Sequence, residues 1–296
     1  MSVGAQSLRR ARGFALSAPA FRRLTLASAV MLVLIVATGA TVRLTGSGLG
    51  CEHWPGCQPH HFEPRSFHSS IEFGNRVVAF FTILATLATW LGSLAAKTST
   101  SVRVTAFLVF LGTTAQAPLG AITIHYHLNP WLVLSHFLLS VVVLTLAVAL
   151  AVEVRPRALD LVPSWVRVWS LGVWVSLCVL IVSGTLATAS GPHPGSAVVR
   201  RLWSFQPAVY WHVRATAVFG VSFAVLLFWL VRGHSRHVRG ALVLLGLLAL
   251  QMTIGEIQYR THLPWWLVLV HVTVAATVWA VATAFVYALW RPRRPT

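Results

Sequence analysis

Eight runs of roughly 20 apolar residues, each long enough to cross a bilayer, govern what this chain can fold into. Their approximate limits are residues 25–45, 73–95, 104–124, 130–152, 167–187, 208–231, 240–258 and 264–290. The third and seventh are the weakest, because Gln116, Gln251 and Glu256 interrupt them. Composition agrees: 56% of the 296 residues are hydrophobic, 10% are charged and mean hydropathy is +0.74, a balance that would not keep a soluble domain in solution. The expected class is an all-α integral membrane fold of eight transmembrane helices. The N-terminal stretch before Arg23 is not expected to be a cleavable signal, since its apolar run leads straight into a spanning helix and no small-residue cleavage pattern follows.

The basic residues set the expected orientation, since Lys and Arg resist translocation. Of 23, 16 fall in the N-terminal stretch, the loops after the second, fourth and sixth runs, and the C-terminal tail; among them are Arg9, Arg10, Arg12, Arg22, Arg23, Arg157, Arg293 and Arg294. The other side carries seven, including Arg43, Arg65, Arg76, Arg200, Arg214 and Arg260. Both termini are therefore predicted to be cytoplasmic. The formal charge of +17 is scattered over short loops and tails, which excludes a nucleic-acid-binding face. The tail RPRRPT reads most simply as a positive-inside anchor, with contact to anionic lipid as the alternative.

Residues 116–136, QAPLGAITIHYHLNPWLVLSH, return as residues 251–271, QMTIGEIQYRTHLPWWLVLVH, 135 positions later with ten of 21 residues identical and no gap. Four helices per half is an even number, so the halves share one orientation and are expected to be two fused four-helix bundles related by a pseudo-twofold axis along the membrane normal. The predicted division is a tail over 1–24, a first unit over 25–152, a linker over 153–166, a second unit over 167–290 and a tail over 291–296. The duplication repeats His136 as His271, each entering a spanning segment where a histidine is costly. Asn75 and His212 occupy the matching place in the second and sixth helices. Each half therefore offers two facing helices with a polar residue at matched depth, Asn75 with His136 and His212 with His271. Two imidazoles from facing helices of a bundle can hold a haem iron from both sides. A helix-to-helix hydrogen bond is the blander reading for any one of them. His127 and His262 sit in loops, where hydrogen bonding or contact with a ligand's polar edge is expected.

The stretch TGATVRLTGSGLGCEHWPGCQP places Cys51 and Cys57 on the oxidising side, with Pro55 and Gly56 between them to turn the chain. A disulfide is favoured over metal ligation with His53. Cys178 reads as a packing residue. Gly46, Gly48 and Gly50 do not form a nucleotide loop, since no strand precedes them.

The pieces VRLTGSGLGCEHWPGC, IEFGNR, HLNPWLVLSHFLLS and THLPWWLVLVH, spread over about residues 25–290, resemble the haem A synthase family. That resemblance implies an oxidoreductase that takes haem O to haem A, oxidising one porphyrin methyl group to a formyl group by successive hydroxylations for aa3-type terminal oxidases. It makes His212 and His271 the axial ligands of a haem b cofactor in the second half and places the substrate haem in the first half with His136. It implies extracytoplasmic haem sites in a multi-pass cell-membrane protein, association with the haem O synthase, and leaves homo-oligomerisation open. By the same resemblance Glu72 is the catalytic acid residue, stabilising a cationic intermediate or handling protons. An i,i+4 ion pair of Glu72 with Arg76 is the competing reading. Arg43, Arg76 and Arg214 are expected to meet haem propionates. The chain departs from the family where ExxHR becomes Glu72-Phe73-Gly74-Asn75-Arg76: an amide is a poor iron ligand. Either His136 holds the substrate iron alone or His68, two turns away on the same helical face, takes over. The first is favoured. Two other classes compete with the enzyme. A b-type cytochrome acting only as electron carrier would need two equivalent bis-histidine sites, and a transporter of parallel repeats would place its polar residues at the midplane.

Overall fold

The computed structural model describes residues 16–53, 56–58, 63–156, 162–196, 199 and 201–291. Arg9, Arg10, Arg12, Pro55, Arg157, Arg200, Arg293 and Arg294, and the tail after Arg291, lie outside them. The described residues form eight helices: α1 Ala18–Leu44, α2 Phe67–Ala95, α3 Thr100–His125, α4 Pro130–Glu153, α5 Ser164–Ser190, α6 Phe205–Arg232, α7 Val238–Arg260 and α8 Trp265–Trp290. All eight are long and apolar enough to cross a membrane. Large apolar side chains remain on the outside, Val221 with 67% of its surface exposed and Val218 with 60%, which water would not tolerate at this density and lipid does. The chain is a multi-pass membrane protein.

Helix starts depart most from the hydropathy reading. α1 begins inside the stretch expected to be tail, and α2 begins at Phe67, not near residue 73. Polar caps explain both. Ser17 accepts from the Ala20 amide ahead of a proline in the first turn, and Ser66 forms a capping box with Ser69. Such turns add helix without adding hydropathy.

Contacts between helices close two rings, α1-α2-α3-α4 and α5-α6-α7-α8, joined where α8 packs on α1 and α4, and α4 touches α5. One continuous apolar core crosses that junction and includes Leu144 and Val148 of the first ring together with Leu226, Trp279 and Ala282 of the second. Indole donors brace this region: Trp279 donates across the seam to Thr145 Oγ1 at 3.0 Å, and Trp174 donates within the second ring to Thr283 Oγ1 at 3.2 Å. At one end Arg291 Nε pairs with Glu153 at 3.0 Å. At the other end the loops meet: the Gly48 amide donates to the Gly195 carbonyl at 3.1 Å, and Leu128 packs against both glycines.

The duplication persists in the backbone. His127-Leu128 and His262-Leu263 all adopt positive φ, between 51° and 63°, unusual for residues with side chains. In each pair the leucine amide closes on a carbonyl five residues back, Thr123 at 2.8 Å and Gln258 at 2.7 Å, terminating α3 and α7 in the same way.

Candidate functional site

The two rings enclose a cavity of about 2350 Å3 whose wall is mostly apolar and is drawn from both units. Asn75, His136, His212 and His271 all line it, as do Glu72, Arg43, Arg76 and Arg214. The expected haem-contacting histidines, Asn75, Glu72 and the three arginines are thus brought to one space. His127 and His262 are not on its wall and are exposed; their contribution is the backbone turn described above.

In the second unit, α5 presents Ser183 and Gly184 to the His212 ring. Ser183 Oγ donates its one hydrogen to the Leu180 carbonyl at 2.8 Å. It must therefore accept at its 3.1 Å contact with His212 Nδ1. This puts the His212 proton on Nδ1 and leaves a lone pair on Nε2. Gly184 permits the approach: a Cβ there would lie 2.9 Å from His212 Cε1. His271 on α8 faces α7 in a comparable way. A Cβ at Gly255 would lie 3.1 Å from its Cε1. The Gln251 amide nitrogen lies 3.1 Å from the His271 carbonyl, an acceptor only, and 3.0 Å from His271 Nε2. That nitrogen consequently donates to both, and His271 Nε2 also carries a lone pair, while its buried Nδ1 has no partner.

The first unit repeats the frame with different occupants. α1 presents Thr38 and Gly39 to Asn75 as α5 presents Ser183 and Gly184 to His212. Thr38 Oγ1 shares its one hydrogen between Asn75 Oδ1 at 2.7 Å and the Ile35 carbonyl at 3.2 Å, and a Cβ at Gly39 would lie 3.9 Å from that amide oxygen. Gly120 stands 3.6 Å from His136 Cε1 by the same measure. Gln116, the counterpart of Gln251, donates instead to Ser140 Oγ at 2.9 Å, and Ser140 in turn donates to the His136 carbonyl at 3.0 Å. His136 Nδ1 is buried without a partner. His68 does lie within α2, but its Nδ1 meets Ser47 Oγ at 2.9 Å and it is not on the cavity wall.

Glu72 is 4% exposed. Its Oε1 pairs with Arg76 Nη2 at 2.5 Å and its Oε2 accepts from the Cys51 amide at 2.9 Å. Arg76 Nη1 donates to the carbonyls of His53 at 2.7 Å and Gly56 at 2.5 Å. Cys51 and Cys57 form a disulfide, which removes the metal alternative for these cysteines. The ion pair is therefore real, and it clamps the disulfide loop over the first unit. Arg43 is spent similarly, donating to the carbonyls of Thr188 at 2.9 Å and His193 at 3.0 Å, across the seam between units. His193 Nε2 meets the Leu263 carbonyl at 2.8 Å. Arg214 stacks over the Tyr210 ring with 3.0 Å to its centroid. Cys178 is a free, half-buried thiol packed against the core, as expected.

Sequence reasoning missed Thr38, Gly39, Ser183, Gly184, Gln116, Gln251 and His193. The two hydroxyl-glycine pairs, each near the end of the first helix of its half, were the available signal.

A family model described as cytochrome oxidase assembly protein, COX15-CtaA, matches residues 22–283. The chain is similar to the protein named heme A synthase of Shewanella oneidensis, 25% identical over 90% of this chain and 96% of that one. It is also similar to the heme A synthase of Symbiobacterium thermophilum, 26% identical over 90% of this chain and 95% of that one. A third, from Bacillus pumilus, is 32% identical over 42% of this chain and 41% of its own length.

Proposed function

Because the chain belongs to the COX15-CtaA family of cytochrome oxidase assembly proteins, we propose that it converts haem O to haem A, taking one porphyrin methyl group to a formyl group. The observation that carries this reading is one cavity walled by two unlike halves: a pair of imidazoles with available Nε2 lone pairs in the second unit, and one imidazole facing an amide in the first. An electron carrier would have no use for the difference. A synthase needs a cofactor that stays and a substrate that leaves.

The residues of the second unit fit a haem b held by His212 and His271. Ser183 fixes the His212 tautomer that ligation requires, and the Gln251 amide, now on His271 Nε2, would yield that nitrogen to iron while keeping the backbone carbonyl of the same residue. A haem bound there supplies reversible one-electron chemistry. The cavity exceeds the roughly 300–1,000 Å3 of ordinary ligand pockets by more than twofold, room for more than one macrocycle. In the first unit His136 binds the substrate haem. Arg214 is the guanidinium placed for a propionate, its planar face supported by Tyr210; Arg76 and Arg43 are held by protein partners. Glu72 acts through its Arg76 pair, holding the disulfide loop closed over the reacting haem and a negative charge at the cavity wall, where a cationic porphyrin intermediate would be stabilised. The matched rings and the central α4-α8 contact support a pseudo-twofold relation of the units, with the loops after α1, α3, α5 and α7 on the extracytoplasmic side of the cell membrane by the distribution of Lys and Arg.

The test is expression with a haem O supply in membranes lacking this activity, followed by extraction and chromatography of the haems. Haem A is the expected product, with His271→Ala losing haem b and product together. Accumulation of haem O and haem b alone with the full chain present would refute the assignment.

A further inference from the structure

We propose that the first unit binds its haem iron through His136 only and keeps the opposite axial face open to a small ligand, because Thr38 ties Asn75 to α1. The inference rests on the haem reading above and says what distinguishes the substrate site from the cofactor site.

The two units use one device in two ways. In the second, a hydroxyl and a glycine on α5 hold an imidazole by Nδ1, which leaves Nε2, at the far edge of the ring, for the cavity. In the first, the hydroxyl and glycine on α1 hold an amide. Asn75 offers a metal only its amide oxygen, a poor iron ligand beside an imidazole, and Thr38 Oγ1 lies 2.7 Å from that oxygen and holds the amide against α1. The amide nitrogen offers only hydrogens. The shorter side chain also ends where the ring of His212 begins to extend. Other first-unit groups that could stand in are committed elsewhere. Glu72 holds Arg76 and the Cys51 amide, Gln116 donates to Ser140, and His68 meets Ser47 outside the cavity wall. Among the described residues of the first unit, His136 is the one histidine on that wall.

A haem clamped by two imidazoles is six-coordinate and exchanges slowly. A haem held by one has a free face and a weaker grip, which suits a molecule that must enter as substrate and depart as product. The free face is also where a small molecule can reach the iron.

Carbon monoxide reports this directly. The full chain is purified in detergent after expression with haem O, reduced with dithionite, and its spectrum recorded with and without carbon monoxide, alongside extraction of the bound haems. The expected result is a carbon monoxide complex of the haem O or haem A population, with the haem b population unmoved. Asn75→His should abolish that complex, convert the first-unit haem to a low-spin spectrum and slow its release. His136→Ala should remove the carbon-monoxide-binding haem while the haem b remains, which keeps the proposal testable if Asn75→His does not fold. Thr38→Val releases Asn75 from α1 toward the open face and should lower carbon monoxide affinity several-fold; an unchanged affinity would remove Thr38 from the argument. A protein carrying both haems that binds no carbon monoxide, or Asn75→His that binds it as before, overturns the proposal. A protein with haem b and no haem O or A overturns the first-unit substrate site itself, a distinct failure.

Discussion

Gly184 is the position where the second-unit site can be perturbed most directly, because its missing Cβ is what lets the His212 ring approach α5. A Cβ at residue 184 would lie 2.9 Å from His212 Cε1 and 3.3 Å from Nδ1, against the roughly 3.5–4.0 Å of favourable carbon contacts. The neighbouring Ser183 pins the ring from the same helix, so the imidazole can escape only by giving up that hydrogen bond or by turning Nε2 off its axis. Overpacking of this kind costs about 1–3 kcal/mol, which corresponds to roughly 5- to 150-fold in haem affinity. The same added methyl removes a glycine from the interior of α5, worth about 0.5–1 kcal/mol in favour of the helix. Gly184→Ala should therefore hold less haem b, while in the haem-free form the helix gain offsets only part of the packing cost and the unfolding midpoint falls modestly. The measurement is haem b per chain by pyridine haemochrome, paired with the circular-dichroism unfolding midpoint of the haem-free protein. Gly172→Ala on the same helix is the control: a Cβ there meets nothing within 4 Å, so full haem content is expected. Wild-type haem b content in Gly184→Ala, or an equal loss in Gly172→Ala, would refute the packing argument.

Ser183→Ala leaves the His212 Nδ1 proton without its acceptor and should weaken haem b retention by roughly 10- to 100-fold, as losses behind a metal ligand do; Ser183→Thr should restore it, since Thr38 already serves in the matching place, and retention after dialysis reads both. Glu72→Gln keeps an acceptor for the Cys51 amide but strips the charge from a nearly buried pair and should destabilise the chain by on the order of 3 kcal/mol. An unchanged unfolding midpoint would refute the clamp, and lost haem A formation at unchanged stability would assign Glu72 to the chemistry instead. Arg43→Ala removes two charge-assisted bonds across the seam, each about 1.5–3 kcal/mol. A lower unfolding midpoint is expected, only partly recovered by Arg43→Lys because one ammonium lacks the guanidinium's fork.

The spanning helices were legible because lipid allows no other solution for eight apolar runs; their starts were not, because the caps at Ser17 and Ser66 lie in polar sequence that hydropathy discounts. The imidazoles were legible for the complementary reason: a histidine in an apolar segment is expensive, and finding His136 again as His271 removes accident as an explanation. The residues that hold the site carry no such mark. Serine, threonine and glycine are common at contacts between membrane helices, so Thr38-Gly39 and Ser183-Gly184 acquire meaning only through the distances to Asn75 and His212. The same distances show what duplication makes available. If the hydroxyl-glycine wall is retained in both copies, the residue it holds can change without rebuilding the helix contact behind it. Replacing a histidine by an asparagine on that frame, or the reverse, then changes the number of iron ligands by one. A two-ligand site and a one-ligand site can stand in one cavity, separated by one side chain, and the difference between a haem kept and a haem released follows from that side chain.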